Sequence, residues 1–500
     1  MKGKFKVLSL LLAVAMAGSM FAACTGGDDS GSGTGSTTGT DGKKEVVTLK
    51  WWHWGDPPKN PDAVIEALNA KSAEDIGVKI DFIWATGDDA KLKTALSTGA
   101  DDDIAFTCSW FARYATTAQK GQLLDITDKL QTVTPKLYEY LPDYLWKGAT
   151  VNGKIYAVPT YKDSAAAQYW TCNKEYVFDG AGAEAEFKAT NQKVSSVTPV
   201  LKKVKEYADA GNPYPHDYTA PFNYNWAGLN GHGTGWDTVQ DTLYLGCKVG
   251  DDTYTVKSYY DDPDYMDDLH TLQEWYKNGY VNADCEQLEK EPEFLVVGTA
   301  QGWEGAEKSV WGVNKDYTVE INKKFGPIAT TSSVIGSMNG IFANSKHPDE
   351  ALKYIEYMNI DEGYRNMLAY GVEGQNYTDN GDGTITKTNS DWEPGAFSQA
   401  TFFTMKPVAP APADMYTAMK DQMDNAEQTA LMGFVFDETN VKTEVAACAN
   451  IKEKYYKTLQ CGTAKDVDAT VAKLMEEWNA AGYQKVLEEA QKQVNAFLGK

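Results

Sequence analysis

The 500-residue sequence predicts an α/β fold with more than one lobe. The hydrophobic content of 42% is enough for a large core, and 23% charged residues is ordinary for a folded protein. Alternating strands and helices are typical of a parallel sheet covered by helices. The early chain shows this alternation: strand-forming runs at 46–52, 78–84 and 104–106, helical patterns at 61–74, 88–97 and 111–120.

Local residue patterns justify these elements. The run VKIDFIW at 78–84 alternates between apolar and polar residues, as a half-buried strand does. In the first helix, Pro61 suits the opening turn, while Val64 and Leu68 share one face. The third helix ends at Gly121, a residue that is favoured just after a helix.

The remaining chain continues with both kinds of element. VNGKIYAVPTYKD at 151–163 begins with a tight-turn signal, and Pro159 interrupts strand pairing, which suits a crossing between two lobes. The region 213–235 is rich in Pro, Asn, Gly and aromatic residues and predicts a long functional loop. Further helices are expected at 195–210, 265–277, 349–358, 467–478 and 484–498, and strands at 166–173, 294–297 and 334–343.

The amino terminus predicts an exported, lipid-anchored protein. Residues 1–23 combine a lysine-rich start with an uncharged apolar run, which is the pattern of an export signal. Small residues precede Cys24, so the segment resembles a bacterial lipoprotein signal that is cut before an acylated cysteine. Phe21 stands where such signals usually carry Leu, and a plain signal peptide with a coincidental cysteine is the alternative. The Gly/Ser-rich residues 24–45 predict a flexible linker.

Charge and cysteine content exclude several functions. The net charge is −23 and the only arginines are Arg113 and Arg365, so the chain would repel nucleic acid and suits anionic substrates poorly. The six cysteines after Cys24 match no metal pattern, and no P-loop motif is present. We therefore expect neither a metal nor a cofactor. One disulfide, for instance Cys448–Cys461, is compatible with the spacing, and the thiols are expected to be mostly free and buried.

Aromatic residues mark the most informative positions. Trp54 and Asp56 follow the first strand, Trp110 follows the third strand, and Tyr114 lies one turn into the next helix. The carboxyl ends of parallel strands meet at one edge of a sheet, where ligands bind in open α/β folds. Exposed aromatic faces suit the C–H surface of a sugar, and packing in the core is the alternative for each residue.

Longer stretches resemble one known family, the extracellular solute-binding proteins of bacterial ABC importers, in a lipoprotein subfamily of the carbohydrate type. The resemblance covers the chain from about residue 46 and rests on the order and spacing of its motifs. The motifs are DIAFTCSWFARYATTAQKGQLLDIT (103–127), VNGKIYAVP (151–159), SMNGI (337–341), YGVEGQNYT (370–378), GFVFDETNVKTEVAACANI (433–451) and AAGYQKVLEEAQKQVNAF (480–497).

The resemblance implies a two-lobed fold like that of periplasmic binding proteins, in which each lobe has a central sheet flanked by helices and a hinge closes the lobes on a ligand. The implied N-terminal lobe comprises 46–162 and 294–343, and the C-terminal lobe comprises 163–293 and 344–500. The last part, about 430–500, would be a helical domain of the subfamily. Such proteins are monomers and not enzymes, and they deliver ligand to ABC permease subunits at the extracellular face of the membrane.

The resemblance also implies which positions of this chain bind the ligand, but it does not identify the ligand. A neutral oligosaccharide is favoured, because stacking with Asp, Asn and Glu hydrogen bonds suits it and the shortage of Arg disfavours acidic sugars. A peptide ligand, a sensory role or, less favoured, a surface glycoside hydrolase with paired carboxylates are the alternatives. The positions are Trp54, Asp56, Trp110, Tyr114, Tyr161, Lys162, Trp170, Trp226, Trp303, Glu304, Asn339 and Trp392.

Overall fold

Two large hydrophobic cores, each beside its own β-sheet, organise the protein. The computed structural model describes residues 46–87, 89–224, 235–288, 296–309, 311–312 and 315–500. The strands are β1 (Val47–Trp54), β2 (Val78–Ala85), β3 (Ile104–Thr107), β4 (Thr150–Val151), β5 (Lys154–Ile155), β6 (Ala157–Pro159), β7 (Ala166–Asn173), β8 (Trp236–Gln240), β9 (Leu245–Lys248), β10 (Lys257–Ser258), β11 (Val297–Gln301), β12 (Val319–Ala329), β13 (Met338–Ile341), β14 (Tyr377–Asp379), β15 (Ile385–Lys387) and β16 (Glu427–Gln428).

Helices cover these sheets and form most of the carboxyl-terminal part of the chain. They are α1 (Asp62–Ile76), α2 (Ala90–Thr98), α3 (Tyr114–Gln119), α4 (Thr127–Thr132), α5 (Pro135–Tyr140), α6 (Asp143–Gly148), α7 (Glu184–Lys188), α8 (Thr198–Asp209), α9 (Pro263–Lys277), α10 (Ala306–Ser309), α11 (Thr331–Val334), α12 (Pro348–Ile360), α13 (Glu362–Tyr370), α14 (Met415–Asp424), α15 (Lys442–Lys452), α16 (Tyr456–Gln460), α17 (Val467–Ala480) and α18 (Tyr483–Leu498).

The first sheet confirms the parallel arrangement that the early alternation predicts. Its order is β2-β1-β3-β13-β6, with β1 parallel to both β2 and β3. β13 is antiparallel to β3 and β6, so it returns the chain to this sheet from far along the sequence. Val64 and Leu68 of α1 are buried in the first core, and α1 ends at Gly77, whose left-handed φ of 72° favours glycine.

The second core lies beside a four-stranded sheet of order β11-β7-β12-β16 and a three-stranded sheet of order β10-β9-β8. β7 is antiparallel to both β11 and β12. α17 and α18 bury Leu474, Trp478 and Val486 in this core, as the amphipathic patterns at 467–478 and 484–498 predict.

The chain divides between the two cores differently from the predicted lobe boundaries. β11 and β12 fall in 294–343, which was expected in the N-terminal lobe, yet they pair with β7 in the second sheet. α12 and α13 fall in the part of 344–500 expected in the other lobe, yet Leu352, Ile355 and Leu368 lie in the first core. Long-range strand pairing is the cause, because local residue patterns do not specify it.

The disulfide joins Cys461 to Cys285 rather than to Cys448. Cys448 is buried and free, as are three other cysteines of the described chain. The packing explains the pairing: a Cβ built on Gly462 would meet the carbonyl oxygen of Leu272 at 2.1 Å, so this turn lies directly against α9. The disulfide therefore ties the chain after α9 to the carboxyl-terminal helices.

Glu45–Lys500 make up one compact unit that contains both cores, and each core with the sheets beside it is here called a body. Within the described residues, no helix combines the length and the apolar character that crossing a membrane requires. The predicted export signal at 1–23, Cys24, the linker at 24–45 and Trp226 lie outside the described residues.

Candidate functional site

A cavity of about 410 Å³, here called the cleft cavity, lies between the two cores, beyond the carboxyl end of β3. Residues from both bodies line it, and in α/β folds this position is a common ligand site. From the first body it takes Ser109, Trp110 and Phe397, and from the second it takes Gln168, Trp236 and Phe325.

Trp110 is an exposed aromatic platform in the cleft cavity. The residue is 52% exposed, and Val46 and Phe497 are the other exposed large hydrophobic residues of the described chain. Its indole is held at the edges, because Nε1 donates to the carbonyl of Gly336 at 3.1 Å and Trp54 packs against it with ring centroids 5.5 Å apart. A fixed ring with an uncovered surface suits stacking on the apolar side of a sugar.

The backbone after β3 presents this platform. The Cys108 amide donates to the carbonyl of Phe111 at 2.9 Å, which closes a tight turn around Trp110. Ala112 and Arg113 then have positive φ values of 51° and 33°, which residues with a Cβ rarely adopt. Unfavourable backbone geometry of this kind concentrates at functional sites, where the surrounding structure holds it in place.

Polar groups around the platform can hydrogen-bond a ligand. Gln168 on β7 is 8% exposed, and its Oε1 is buried without a hydrogen-bond partner among the described residues. A buried acceptor left unpaired costs about 1–3 kcal/mol, so a rotation of the side chain that brings Oε1 to a ligand hydroxyl in the cavity would be favourable. Lys162 lines the same cavity and pairs with Asp163 at 2.5 Å. Asp241 adds an exposed carboxylate.

The lining is better suited to binding than to catalysis. Asp241 is the single carboxylate residue among the described residues that line the cleft cavity, whereas glycoside hydrolysis ordinarily uses two. The same described lining includes neither His nor Cys, which would form a nucleophile–base pair with a serine. Across the described chain, no group of three His, Cys, Asp or Glu residues is arranged to hold a metal ion.

Three described segments cross between the two cores. The segment 160–165 links β6 to β7, 330–337 links β12 to β13, and 425–433 follows α14. The first two are joined side by side, because the Thr160 amide donates to the carbonyl of Ser337 at 2.9 Å. Small φ/ψ changes in such crossings let two bodies close on a ligand as a hinge.

The structure places some of the predicted ligand contacts at the cleft cavity. Trp110 and Lys162 line it, and Trp54 packs behind Trp110. Asp56 and Glu304 are exposed, but they are not part of the cavity lining. The edge of the first sheet is therefore the part of the predicted site that the fold brings together.

Tyr114, Tyr161 and Asn339, also predicted as ligand contacts, use their polar groups within the fold and are at most 2% exposed. Tyr114 Oη donates to a backbone carbonyl at 2.5 Å, and Tyr161 Oη donates to Asp424. The Asn339 amide accepts from Trp51 Nε1 at 2.9 Å and donates to two backbone carbonyls. These side chains organise the core behind the site instead of reaching into the cleft cavity.

Trp170, Trp303 and Trp392 are buried indoles, with at most 5% exposure. Trp170 Nε1 donates to the carbonyl of Asn191 at 2.7 Å, and Trp392 Nε1 donates to that of Leu368 at 2.9 Å. Trp303 Nε1 has no partner within the described residues, but its ring packs in the first core. Residues typical of loops flank Trp303 and Trp392 in the sequence and predicted exposed side chains. That prediction is wrong, because large apolar rings are stabilised by packing in the core.

Sequence reasoning predicted only Trp110 and Lys162 of the cavity lining, and the residues that it missed include Gln168, Trp236 and Phe325. Trp236 begins β8 directly after the loop region 213–235, so the loop itself was the available signal. Gln168 is a polar residue within a strand-like run, and only its break in the apolar pattern marks it. Phe325 lies in β12, where no strand was expected.

Comparisons with known proteins agree with this architecture. A model of the bacterial extracellular solute-binding protein family matches residues 63–377, and a domain of unknown function matches residues 430–499. A carbohydrate ABC transporter substrate-binding protein from Streptococcus pneumoniae serotype 4 is 27% identical over 490 residues, which cover 93% of this chain and 94% of that protein.

Solved structures are similar over nearly the whole chain. The N-glycan transport solute binding protein from Streptococcus pneumoniae has a TM-score of 0.80 at 25% identity, and the match covers 91% of this chain and 99% of that one. The same protein in complex with Man5GlcNAc has a TM-score of 0.75 at 25% identity, with the same coverage. These relatives are two-domain binding proteins and not enzymes. Because the family model matches more than half of the sequence, the chain belongs to the bacterial extracellular solute-binding protein family.

Proposed function

We propose that the protein captures a neutral oligosaccharide in the cleft cavity and delivers it to the permease subunits of an ABC importer. Trp110 carries the proposal, because its indole is 52% exposed, fixed at its edges and located between the two cores. Gln168 and Lys162 supply hydrogen-bonding groups beside it. The two cores act as lobes that close on the sugar through the three crossing segments.

Charge and relatives support the ligand class. Lys162 is the one cationic residue in the described lining of the cleft cavity, and it is already paired with Asp163. Because the chain also carries a net charge of −23, this cavity does not favour an acidic sugar over a neutral one. The pneumococcal N-glycan transport protein has been solved with Man5GlcNAc and with Man1GlcNAc. A peptide remains the alternative ligand.

The family is extracellular. We propose that this member acts as a monomer and is held at the extracellular face of the cell membrane by a lipid on Cys24. Residues 1–23 would be removed as the signal, and 24–45 would form the tether. Mass spectrometry of the mature amino terminus is expected to find an acylated cysteine. An unmodified Cys24, or a start at another residue, would contradict the anchor.

Thermal shift and calorimetry across neutral oligosaccharides, acidic oligosaccharides and peptides test the ligand class. A ligand at a hundredfold excess over its Kd adds about 2.7 kcal/mol of stability, which a melting curve resolves easily. Neutral oligosaccharides are expected to give the shift. A shift with peptides alone would contradict the proposal, and so would cleavage of the sugar that Asp241→Asn abolishes.

An uptake assay in cells distinguishes a role in transport from a role in sensing. Cells that lack the protein are expected to lose import of the ligand and regain it with the wild-type chain. Normal import together with a lost transcriptional response would favour a sensory role instead.

A further inference from the structure

A second cavity of about 400 Å³, here called the lateral cavity, adjoins the cleft cavity. Trp236, Val249 and Phe325 line both cavities, so these three side chains form a partition between them. Beyond the partition, the lateral cavity takes Gln192, Asp268 and Lys324 from three different elements of the second body. An occupant of one cavity therefore contacts the same aromatic side chains as an occupant of the other.

An irregular strand turns a lysine into the lateral cavity. Lys324 and Phe325 are neighbours on β12, and regular alternation would send them to opposite faces of the sheet. The register between β12 and β7 shifts on both sides of Phe325, and both side chains line the lateral cavity. Register shifts of this kind re-aim side chains and are common beside functional sites. Lys323, one residue earlier, is exposed.

The Lys324 ammonium group is buried, and no described residue accepts a hydrogen bond from it. The residue is 5% exposed, and Nζ lies 4.6 Å from the centroid of the Trp170 ring. It makes no hydrogen bond or ion pair within 4 Å to any residue of the described chain. Burial lowers the pKa of Lys324 to about 8, so the group remains mostly charged at neutral pH and offers three donors to the cavity.

The charged side chains that line the lateral cavity match in number, with three lysines and three aspartates. Lys248 pairs with both Asp262 and Asp264 at 2.8 Å. Asp268 uses Oδ1 to accept from the Val194 amide at 3.1 Å, and its charge acts on Lys324. A site with matched charges, one unpaired donor group and aromatic walls suits hydroxyl groups on a neutral ring better than it suits an ion.

We infer that the lateral cavity is a second saccharide subsite, which takes a branch or extension of the oligosaccharide bound in the cleft cavity. The inference rests on the proposed function, and it specifies a ligand that reaches past the partition of Trp236, Val249 and Phe325. Hydroxyl groups of the further sugar unit accept from Lys324 and donate to Asp268. Trp110 in the cleft cavity holds the part of the ligand that short and long sugars share.

Calorimetric titration with Man5GlcNAc and with the shorter Man1GlcNAc tests the subsite. Lys324→Met keeps the length of the side chain and removes its donors, so we expect the Kd for Man5GlcNAc to rise by about tenfold or more. The Kd for Man1GlcNAc is expected to change by less than about twofold, because that ligand needs only the cleft cavity. Lys323→Met, on the exposed neighbour, is the matched control and should change neither value.

Asp268→Asn is a second variant that retains the side-chain shape, and it decides the outcome if Lys324→Met does not fold. It is also expected to weaken Man5GlcNAc selectively. Equal losses for the two sugars, or no loss for either, would overturn the subsite and leave the oligosaccharide function intact. A wild-type protein that binds no neutral oligosaccharide, these two included, would overturn both.

Discussion

Removal of the Trp110 indole measures how much ligand affinity comes from stacking. The residue is 52% exposed, and a tryptophan offers roughly 250 Å² of surface, which leaves about 130 Å² for a ligand to cover. A sugar ring covers one face, or about half of that area. At about 25 cal/mol per Å² the loss is about 1.6 kcal/mol, so Trp110→Ala should raise the Kd about 15-fold.

Isothermal titration of the wild type, Trp110→Ala and Trp110→Phe provides the assay. The phenyl ring retains a smaller face, so Trp110→Phe should fall between the other two proteins. Urea denaturation is the control for folding. A loss of up to about 3 kcal/mol is expected, because the buried half of the indole, which packs against Trp54, is removed together with one exposed hydrogen bond. An unchanged Kd in Trp110→Ala, for a sugar that the wild type binds, would refute stacking at this residue.

Three further outcomes are expected. Trp303→Ala removes a core indole, so urea denaturation should show a loss of about 3–5 kcal/mol; unchanged stability with a weakened Kd would instead make Trp303 a ligand contact. Cys285→Ser opens a disulfide with a sequence separation of 176 residues, and about 2–5 kcal/mol of unfolding free energy should be lost; identical denaturation of the wild type with and without dithiothreitol would contradict the bond. Burial lowers the pKa of Lys324 from 10.5 to about 8, so the unfolded chain binds this proton more tightly and the lysine destabilises the fold below pH 8. Lys324→Met should therefore stabilise the ligand-free protein at pH 7 by up to about 3 kcal/mol, and this difference should shrink as the pH rises from 8 to 10.5; a difference independent of pH would contradict the buried charge.

The periodicity of apolar residues predicted the early strands and helices of the first body. It did not predict which of the two cores each later segment joins. β1, β2 and α1 follow local patterns that a sequence displays directly, and the predicted parallel sheet is confirmed. β12 was not expected, because its residues VEINKKFGPIA contain charges and a Gly-Pro pair that resemble a loop. Its pairing with β7 satisfies the backbone hydrogen bonds, which no local pattern reports.

Site residues were predicted correctly where the order of strands in the sheet determines their location. Trp110 follows a central parallel strand, so the sheet edge determines its location. Trp392 and Trp170 were wrongly predicted as ligand contacts. Each indole donates a hydrogen bond to a backbone carbonyl in the core, and the sequence does not indicate such a bond. Lys324 escaped prediction because the register shift that turns it inward is a property of two strands together.

The partner of Cys461 in the disulfide could not be predicted from the sequence either. Cys448 and Cys461 are near each other in the sequence, while Cys285 is distant. The turn at Gly462 packs against α9, and this tertiary contact, rather than sequence spacing, selects the partner of Cys461.

A crystal structure of the complex with the neutral oligosaccharide that binds most tightly tests the central claim most directly. We predict a pyranose ring stacked on Trp110, with a sugar hydroxyl within about 3.2 Å of Gln168 Oε1. A ligand located elsewhere on the protein, with Trp110 and Gln168 uncovered, would contradict the claim that the cleft cavity is the binding site.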